Sequence, residues 1–310
     1  MRSANRIILL IWICFALMTL LNGCSDSEEI ISEPDSSKEE SPLNIGLIPE
    51  RNLFHQIEHY EPLANYLSKK LGRKIELKML TRYGNIIDNF ISLQLDAAFF
   101  GSFVYTLAHA KLGVEVFARP EDYSGISAYH GLIFVRKDSG IAGIKDMKGK
   151  TFAMVDKATT AGYIFPLAFF KRNGVTDYKQ FLKETYFAGT HEDVIHDVLN
   201  KKADIGAAKN TVYFQLAAEN KRIIQDLLIL ETSLDVPENG IALRKDLDDS
   251  IKDQLKQVFL NMHNDPEGIK VLKALGARVF IETTDSDYSN VRVLVQEIGL
   301  NLKTYDYIND

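Results

Sequence analysis

The sequence predicts an α/β protein of two lobes around a cleft, on three observations. From Leu43 onward, short apolar runs alternate with longer amphipathic stretches. The same rhythm starts again near Gly131. No recognisable catalytic loop interrupts it. Alternation of this kind builds mostly parallel sheets flanked by helices, and ligands then sit beyond the carboxyl ends of the strands.

The first unit reads in order as follows. Leu43–Ile48 is a strand, and His55–Leu71 is a helix ended by Gly72. Lys74–Leu80 alternates as a strand, Ile86–Leu95 is a helix, and Asp96–Phe100 is a buried strand closed by Gly101. Ser102–Leu112 is a helix with Gly113 at its end, and Val114–Ala118 is a strand. Glycine just past a periodic apolar stretch is a helix stop, because it takes up the left-handed backbone at no steric cost.

The second unit repeats the pattern. Gly131–Arg136, Thr151–Val155, Glu184–Ala188, Asp204–Ala208, Leu227–Glu231 and Ile241–Arg244 read as strands. Tyr163–Arg172, Glu192–Asn200 and Val212–Glu219 read as helices between them. Helices Asp249–Met262 and Pro266–Leu275, with a connecting strand, finish the chain, and their regular apolar spacing packs them on the first lobe.

The first 24 residues stand apart. Arg2 and Arg6 precede an apolar run from Ile7 to Leu21, broken only by Thr19. That run is 15 residues long, short of the roughly 20 that a spanning helix needs. A positive start, a short apolar core and a small residue before the cut describe an export signal over residues 1–23. Leu21-Asn22-Gly23-Cys24 resembles a bacterial lipobox, which makes Cys24 the lipidated first residue of the mature chain. An uncleaved membrane anchor or a plain signal without lipidation is the competing reading. Residues 24–42 are acidic, serine-rich and nearly free of large apolar side chains, as in a flexible tether.

Composition narrows the function. There are two cysteines, Cys14 in the signal and Cys24 at the lipid, so the mature domain has no thiol for a disulfide, metal site or nucleophile. Net charge is -6, and the signal takes away two positive charges and no negative one, leaving -8. Nothing in that balance suits a nucleic-acid partner, which needs clustered Lys and Arg. His191 and His196 stand at i and i+5, not the i and i+4 that puts two zinc ligands on one helix face, so no metal is expected. No Walker loop and no Gly-x-Ser-x-Gly elbow is present, and neither a cofactor nor a catalytic residue is expected.

Two places suit an anion. Thr159-Thr160-Ala161-Gly162 lies between a strand and a helix, where free N–H groups, the helix dipole and two hydroxyls converge. The same residues also describe an ordinary N-cap turn. His191 opens a helix after a strand and is either a donor to an oxyanion or a capping histidine; a bound anion would favour its charged form.

An ordered set of stretches carries a resemblance. It comprises Gly46-Leu47-Ile48-Pro49-Glu50-Arg51-Asn52 with Tyr60 to Leu67, then Leu95 to Gly101 and Gly131 to Ile141. It continues with Lys148 to Ala153, Thr159 to Tyr163, Gly189-Thr190-His191-Glu192 and Lys202 to Ala207. Across residues 43–300 the chain resembles the phosphate/phosphite/phosphonate substrate-binding family of ABC importers, which has the type II periplasmic-binding-protein fold. The resemblance implies an extracytoplasmic lipoprotein, anchored to the membrane and monomeric, that captures a phosphorus oxyanion by hinge closure and delivers it to a permease and its ATPase. A ligand-binding sensor subunit and an uncharacterised α/β enzyme are the alternatives.

That fold implies two crossings between lobes, near Gly131–Lys137 and Pro237–Arg244, with lobe one at 43–133 plus 240–310 and lobe two at 134–239. It also implies ligand contacts at Thr159, Thr160, Gly162 and His191. The family's usual Ser-Thr-Ser-Gly reads Thr-Thr-Ala-Gly here, so one hydroxyl is missing at Ala161. Tyr83 and Phe100 fall at aromatic pocket positions, and Ser102 offers a hydroxyl and an N–H. Phe100 stands where aminophosphonate binders have Tyr. Those relatives also place carboxylates in lobe two, at positions matched here by Thr211 or Asn210 and by Asn239; Glu238 is adjacent to Asn239, and a slip of one residue in the matching would put a carboxylate there. A buried ammonium without a carboxylate is costly. The expectation is therefore poor binding of 2-aminoethylphosphonate, and a preference for phosphate, phosphite or a neutral-tailed phosphonate.

Overall fold

The structure, a computed structural model, describes residues 41–50 and 53–309. The expected signal, Cys24 and nearly all of the tether lie outside them. Among the described residues no helix is long and apolar enough to cross a membrane.

The strands in chain order are β1 (Leu43–Leu47), β2 (Ile75–Met79), β3 (Ala97–Phe100), β4 (Glu115–Glu121), β5 (Ala128–Tyr129), β6 (Gly131–Arg136), β7 (Thr151–Met154), β8 (Glu184–Phe187), β9 (Ile205–Lys209), β10 (Leu227–Thr232), β11 (Val236–Pro237), β12 (Gly240–Leu243) and β13 (Val279–Glu282). The helices are α1 (Leu53–Leu71), α2 (Asn85–Ser92), α3 (Ser102–Leu112), α4 (Phe165–Arg172), α5 (Tyr178–Phe181), α6 (His191–Leu199), α7 (Asn210–Glu219), α8 (Arg222–Asp226), α9 (Asp249–Asn261), α10 (Pro266–Ala274) and α11 (Ser289–Glu297).

Two sheets define two lobes. The first has the order β13-β4-β12-β3-β1-β2 and the second β10-β6-β9-β7-β8. β1 pairs parallel with β2 and β3, and β7 pairs parallel with β8 and β9. β12 runs against both β3 and β4, so the returning chain is built into the centre of the first sheet. The chain leaves that sheet after β4 and comes back through β11, and β5 and β11 pair antiparallel as a separate two-stranded ladder.

Apolar alternation dictates the layers. Leu43, Ile45 and Leu47 of β1 face Leu63 and Leu67 of α1 and Leu255 and Phe259 of α9 in one core cluster. Ile48, with Ala98 and Phe100 of β3, joins the larger cluster that continues into the second lobe. Each such leucine, isoleucine or phenylalanine, moved fully out of water, contributes roughly 1.5–3 kcal/mol. Gly46 permits the close layer beside β1, where a Cβ would stand 2.8 Å from Leu95 Cδ1.

Helix starts follow their caps. The Asp248 side chain accepts from Ser250 N at 2.9 Å, and the Thr190 hydroxyl accepts from Asp193 N at 3.0 Å. The expected helix over 163–172 is a π-turn at Thr160–Ile164 followed by α4. The expected two-helix ending is corrected: a third helix, α11, follows β13 and buries Val291, Leu294 and Val295. Its signal was present in the sequence, since Thr284 and Asp287 form a capping box just before it. Beyond α11 the tail touches both lobes. Tyr305 meets Phe103 edge-on and donates to the Lys157 carbonyl at 2.9 Å, while Tyr307 donates to Asp88 at 2.7 Å.

Candidate functional site

Between the lobes lies a tight pocket lined by Glu50, Tyr83, Gly101, Tyr129, Ala158, Thr159, Thr160, His191, Lys209 and Asn239. Each comes from the end of a strand or the start of a helix. Glu50 follows β1, Tyr83 precedes α2, and Gly101 joins β3 to α3. Thr159 and Thr160 follow β7, His191 opens α6, Lys209 ends β9 and Asn239 follows β11. These are the positions where α/β sheets present free N–H groups to ligands. A larger cleft of about 560 Å³ adjoins it and shares Glu50, Lys209 and Asn239 as a common wall.

The polar groups divide into committed and uncommitted ones. The Thr159 hydroxyl donates to the Asp156 carbonyl at 2.7 Å. The Thr160 hydroxyl accepts from Phe103 N–H at 2.9 Å and so ties the second lobe to the start of α3 in the first. The Ser102 hydroxyl donates to the Pro237 carbonyl. His191 Nδ1 accepts from Lys209 N–H at 3.2 Å, which leaves the Nε2 proton as the donor. The Tyr83 hydroxyl, in a side chain 2% exposed, has no hydrogen-bond partner among the described residues.

An ion cluster closes the other end. Lys209, 3% exposed, extends its ammonium to Glu50 Oε1 at 3.1 Å, to Glu238 Oε1, and to Asn239 Oδ1 at 3.3 Å. The Tyr129 ring lies beneath it, 4.5 Å from Nζ to centroid. Burial pulls the ammonium down, but the Glu238 and Glu50 carboxylates outweigh it, and Lys209 is held above the ordinary lysine range. Burial pushes the Glu50 carboxyl up, while Lys209 and His191 pull it down further, so it stays ionised. Burial drives the His191 imidazole down to about 4 against the pull of Glu50, so it is neutral near pH 7. Burial pushes the Tyr83 phenol well above its usual range, which keeps its proton available for donation.

The structure brings together Thr159, Thr160, His191, Tyr83 and Asn239 in the pocket. Gly162 sits behind it, packed against Val155. Phe100 is fully buried and stacks on Phe90, away from the lining. Ser102 is buried beside the pocket. The Asn210 side chain accepts from His130 N–H at 3.1 Å in the crossing region, and Thr211 faces the larger cleft. Asn210, Thr211 and Asn239 bring no carboxylate, but Glu50 of lobe one and Glu238, the neighbour of Asn239, both stand beside Asn239 with Lys209 between them. Sequence reasoning reached Glu238 only as the neighbour of Asn239, and it missed Glu50, Lys209 and Tyr129. Its one available signal was position, because Lys209 is the last residue of a buried strand and Glu50 follows another.

A family model described as "ABC transporter, phosphonate, periplasmic substrate-binding protein" matches residues 45–288. The chain is 27% identical over 272 residues to the phosphonates-binding periplasmic protein of Escherichia coli (strain K12), covering 86% of this chain and 79% of that one. It is also 27% identical over 312 residues to the phosphate-import protein PhnD of Mycolicibacterium smegmatis, covering 92% and 94%. A binding protein component of an ABC phosphonate transporter from Pseudomonas aeruginosa superposes with TM-score 0.76 at 25% identity, covering 82% of this chain and 85% of that one.

Proposed function

Because the chain belongs to the periplasmic phosphonate substrate-binding proteins of ABC transporters, which bind a solute rather than transform it, we propose that it captures a small phosphorus oxyanion and passes it to a permease. The observation that carries the ligand class is the Tyr83 hydroxyl. A buried donor without a partner costs about 1–3 kcal/mol, and this one faces a pocket built from strand ends and helix starts. An oxyanion offers it an acceptor.

In this reading Tyr83 donates from lobe one, while His191 Nε2–H and the Thr160 N–H, at the start of the π-turn, donate from lobe two; the Thr159 N–H is taken by the Asp156 carbonyl at 3.0 Å. No group in the pocket needs to give up a proton, so binding is capture without chemistry. The two-stranded ladder of β5 and β11 is the hinge, and the geometry described above is the closed form, held by the Thr160–Phe103 hydrogen bond and the Lys209–Glu50 ion pair. The moving bodies are residues 43–133 plus 240–310 as lobe one and 134–239 as lobe two, except that Gly131–Ile133 belong to β6 and so move with the second sheet. Residues 1–23 serve export, Cys24 carries the lipid, residues 24–42 tether the monomer to the membrane, and a permease with its ATPase receives the ligand.

The test is a thermal-shift series on protein freed of bound ligand, with phosphate, phosphite, methylphosphonate, 2-aminoethylphosphonate and sulfate. A ligand that binds only the folded form stabilises it, by about 2.7 kcal/mol at a hundredfold excess over Kd. A saturable rise with one phosphorus oxyanion, absent with sulfate, supports the reading. No rise with any of them in folded protein sinks it.

A further inference from the structure

We propose that Lys209 sets the ligand preference of the pocket: its side chain is a resident ammonium that fills a cation subsite made by Glu50 and Glu238. The proposal rests on the oxyanion reading above and names the substrate class within it, phosphorus oxyanions whose substituent carries no positive charge.

The geometry of the cluster is complete in itself. An ammonium has three protons, and here three acceptors meet it: Glu50 Oε1, Glu238 Oε1 and Asn239 Oδ1. The Tyr129 ring covers a further side at 4.5 Å. Two carboxylates and an aromatic face around one buried nitrogen form a binding site for a primary amine, and the protein supplies the amine from β9. The elements that converge are separate in sequence: the end of β1, the end of β9 and the crossing after β11. Lys209 also stands in the wall shared by the tight pocket and the larger cleft. A substituent on phosphorus that points from the pocket toward the cleft therefore runs past Lys209.

Charge gives the direction of selection. With Lys209 present the cluster carries one net negative charge, and a ligand bringing a second ammonium finds both carboxylates already used. Without it two buried carboxylates lie beside an oxyanion site. A simple phosphonate is then repelled, whereas one carrying its own ammonium supplies the missing partner.

Titration calorimetry on the full chain and on Lys209→Ala, with ethylphosphonate and 2-aminoethylphosphonate, tests this. The two probes differ by one amino group. The native protein is expected to favour ethylphosphonate at least tenfold. The variant is expected to shift the affinity ratio toward 2-aminoethylphosphonate by at least tenfold. A smaller shift, or native protein without that preference, overturns the proposal. If Lys209→Ala does not fold, the double variant Lys209→Met, Glu50→Gln removes one charge of each sign, keeps Glu238, and is read by the same ratio. Native protein that binds neither probe, nor phosphate, phosphite or methylphosphonate, refutes the oxyanion reading itself and the proposal with it. An unchanged ratio in protein that does bind refutes the role of Lys209 alone.

Discussion

The ring of Tyr83 meets the ring of His191 edge-on, with centroids 5.9 Å apart, and it does so across the cleft between the two lobes. Tyr83 precedes α2 in the first lobe and His191 opens α6 in the second, so the pair exists only where the lobes meet. Each ring presents a donor to the pocket, and the Tyr83 hydroxyl has no partner among the described residues. Tyr83→Phe separates a core role from a ligand role. As a core residue it loses nothing but a dissatisfied hydroxyl, so the melting temperature of ligand-free protein should hold or rise. As a ligand donor its loss should weaken oxyanion binding by roughly tenfold or more, the scale of a hydrogen bond to a charged group. Melting curves with and without ligand, alongside calorimetry, read both effects. Unchanged affinity in the variant removes Tyr83 from the site.

The Phe103 N–H donates to the Thr160 hydroxyl across the cleft, at 2.9 Å. Thr160→Val keeps the shape and removes the acceptor. In an open form water solvates the Phe103 N–H, so the loss falls on closure, where a buried N–H without a partner costs about 1–3 kcal/mol. Affinity should therefore drop by about tenfold, with a smaller effect on the stability of ligand-free protein. Small-angle scattering should show an incompletely compacted particle at ligand concentrations that close the native protein. A variant that closes and binds like the native chain excludes this bond from the closing energy.

Gly162 is held by packing. A Cβ there would stand 2.4 Å from Val155 Cγ2 and 2.8 Å from Thr159 Oγ1. Gly162→Ala must push the turn away from Val155, at a cost of roughly 1–3 kcal/mol for overpacking. The displaced Thr159 then moves in the pocket, so affinity falls together with stability. Adding Val155→Ala reopens the space and should restore part of both. Denaturant midpoints and affinities for the single and double variants provide the check, and a double variant as weak as the single one rejects the steric account.

How much of this was legible in the sequence depended on where each signal sat. Strands such as Ala97–Phe100 announced themselves as apolar runs bounded by Gly101, and helices by their caps and their terminal glycines. The Thr159–Thr160 turn and His191 were legible because a strand-to-helix junction is itself an anion-site signal. Lys209 was not. The expected strand ended at Ala208, one residue short, which left the lysine outside it, while the resemblance to aminophosphonate binders pointed to Asn210 and Thr211 instead. Glu50 and Glu238 lie 188 positions apart, and only the return of β12 beside β3 brings their segments together. The β5–β11 ladder left no trace for the same reason, since two residues on each side hold no periodicity.

Two buried groups in the second lobe titrate in opposite senses, and their opposition is testable. Burial pushes the Asp156 carboxyl up to about 6, against the hydrogen bonds from Ala158 N–H and the Asn309 amide that pull it down. Burial pulls His191 down to about 4. Between about pH 4 and 6 the folded form keeps the Asp156 proton that the unfolded chain releases, so this group makes stability fall as pH rises. Over about pH 4 to 6.5 the unfolded chain protonates His191 while the folded form does not, so this group makes stability rise with pH. Each contributes at most about 3 kcal/mol across its window, and together they largely cancel. Asp156→Asn should therefore steepen the rise of stability with pH over that range relative to the native protein, and His191→Gln should replace it with a fall. Urea midpoints at several pH values between about 4 and 7 measure both slopes. Variants whose pH profiles run parallel to the native one would show that neither group carries its burial into the stability of the fold.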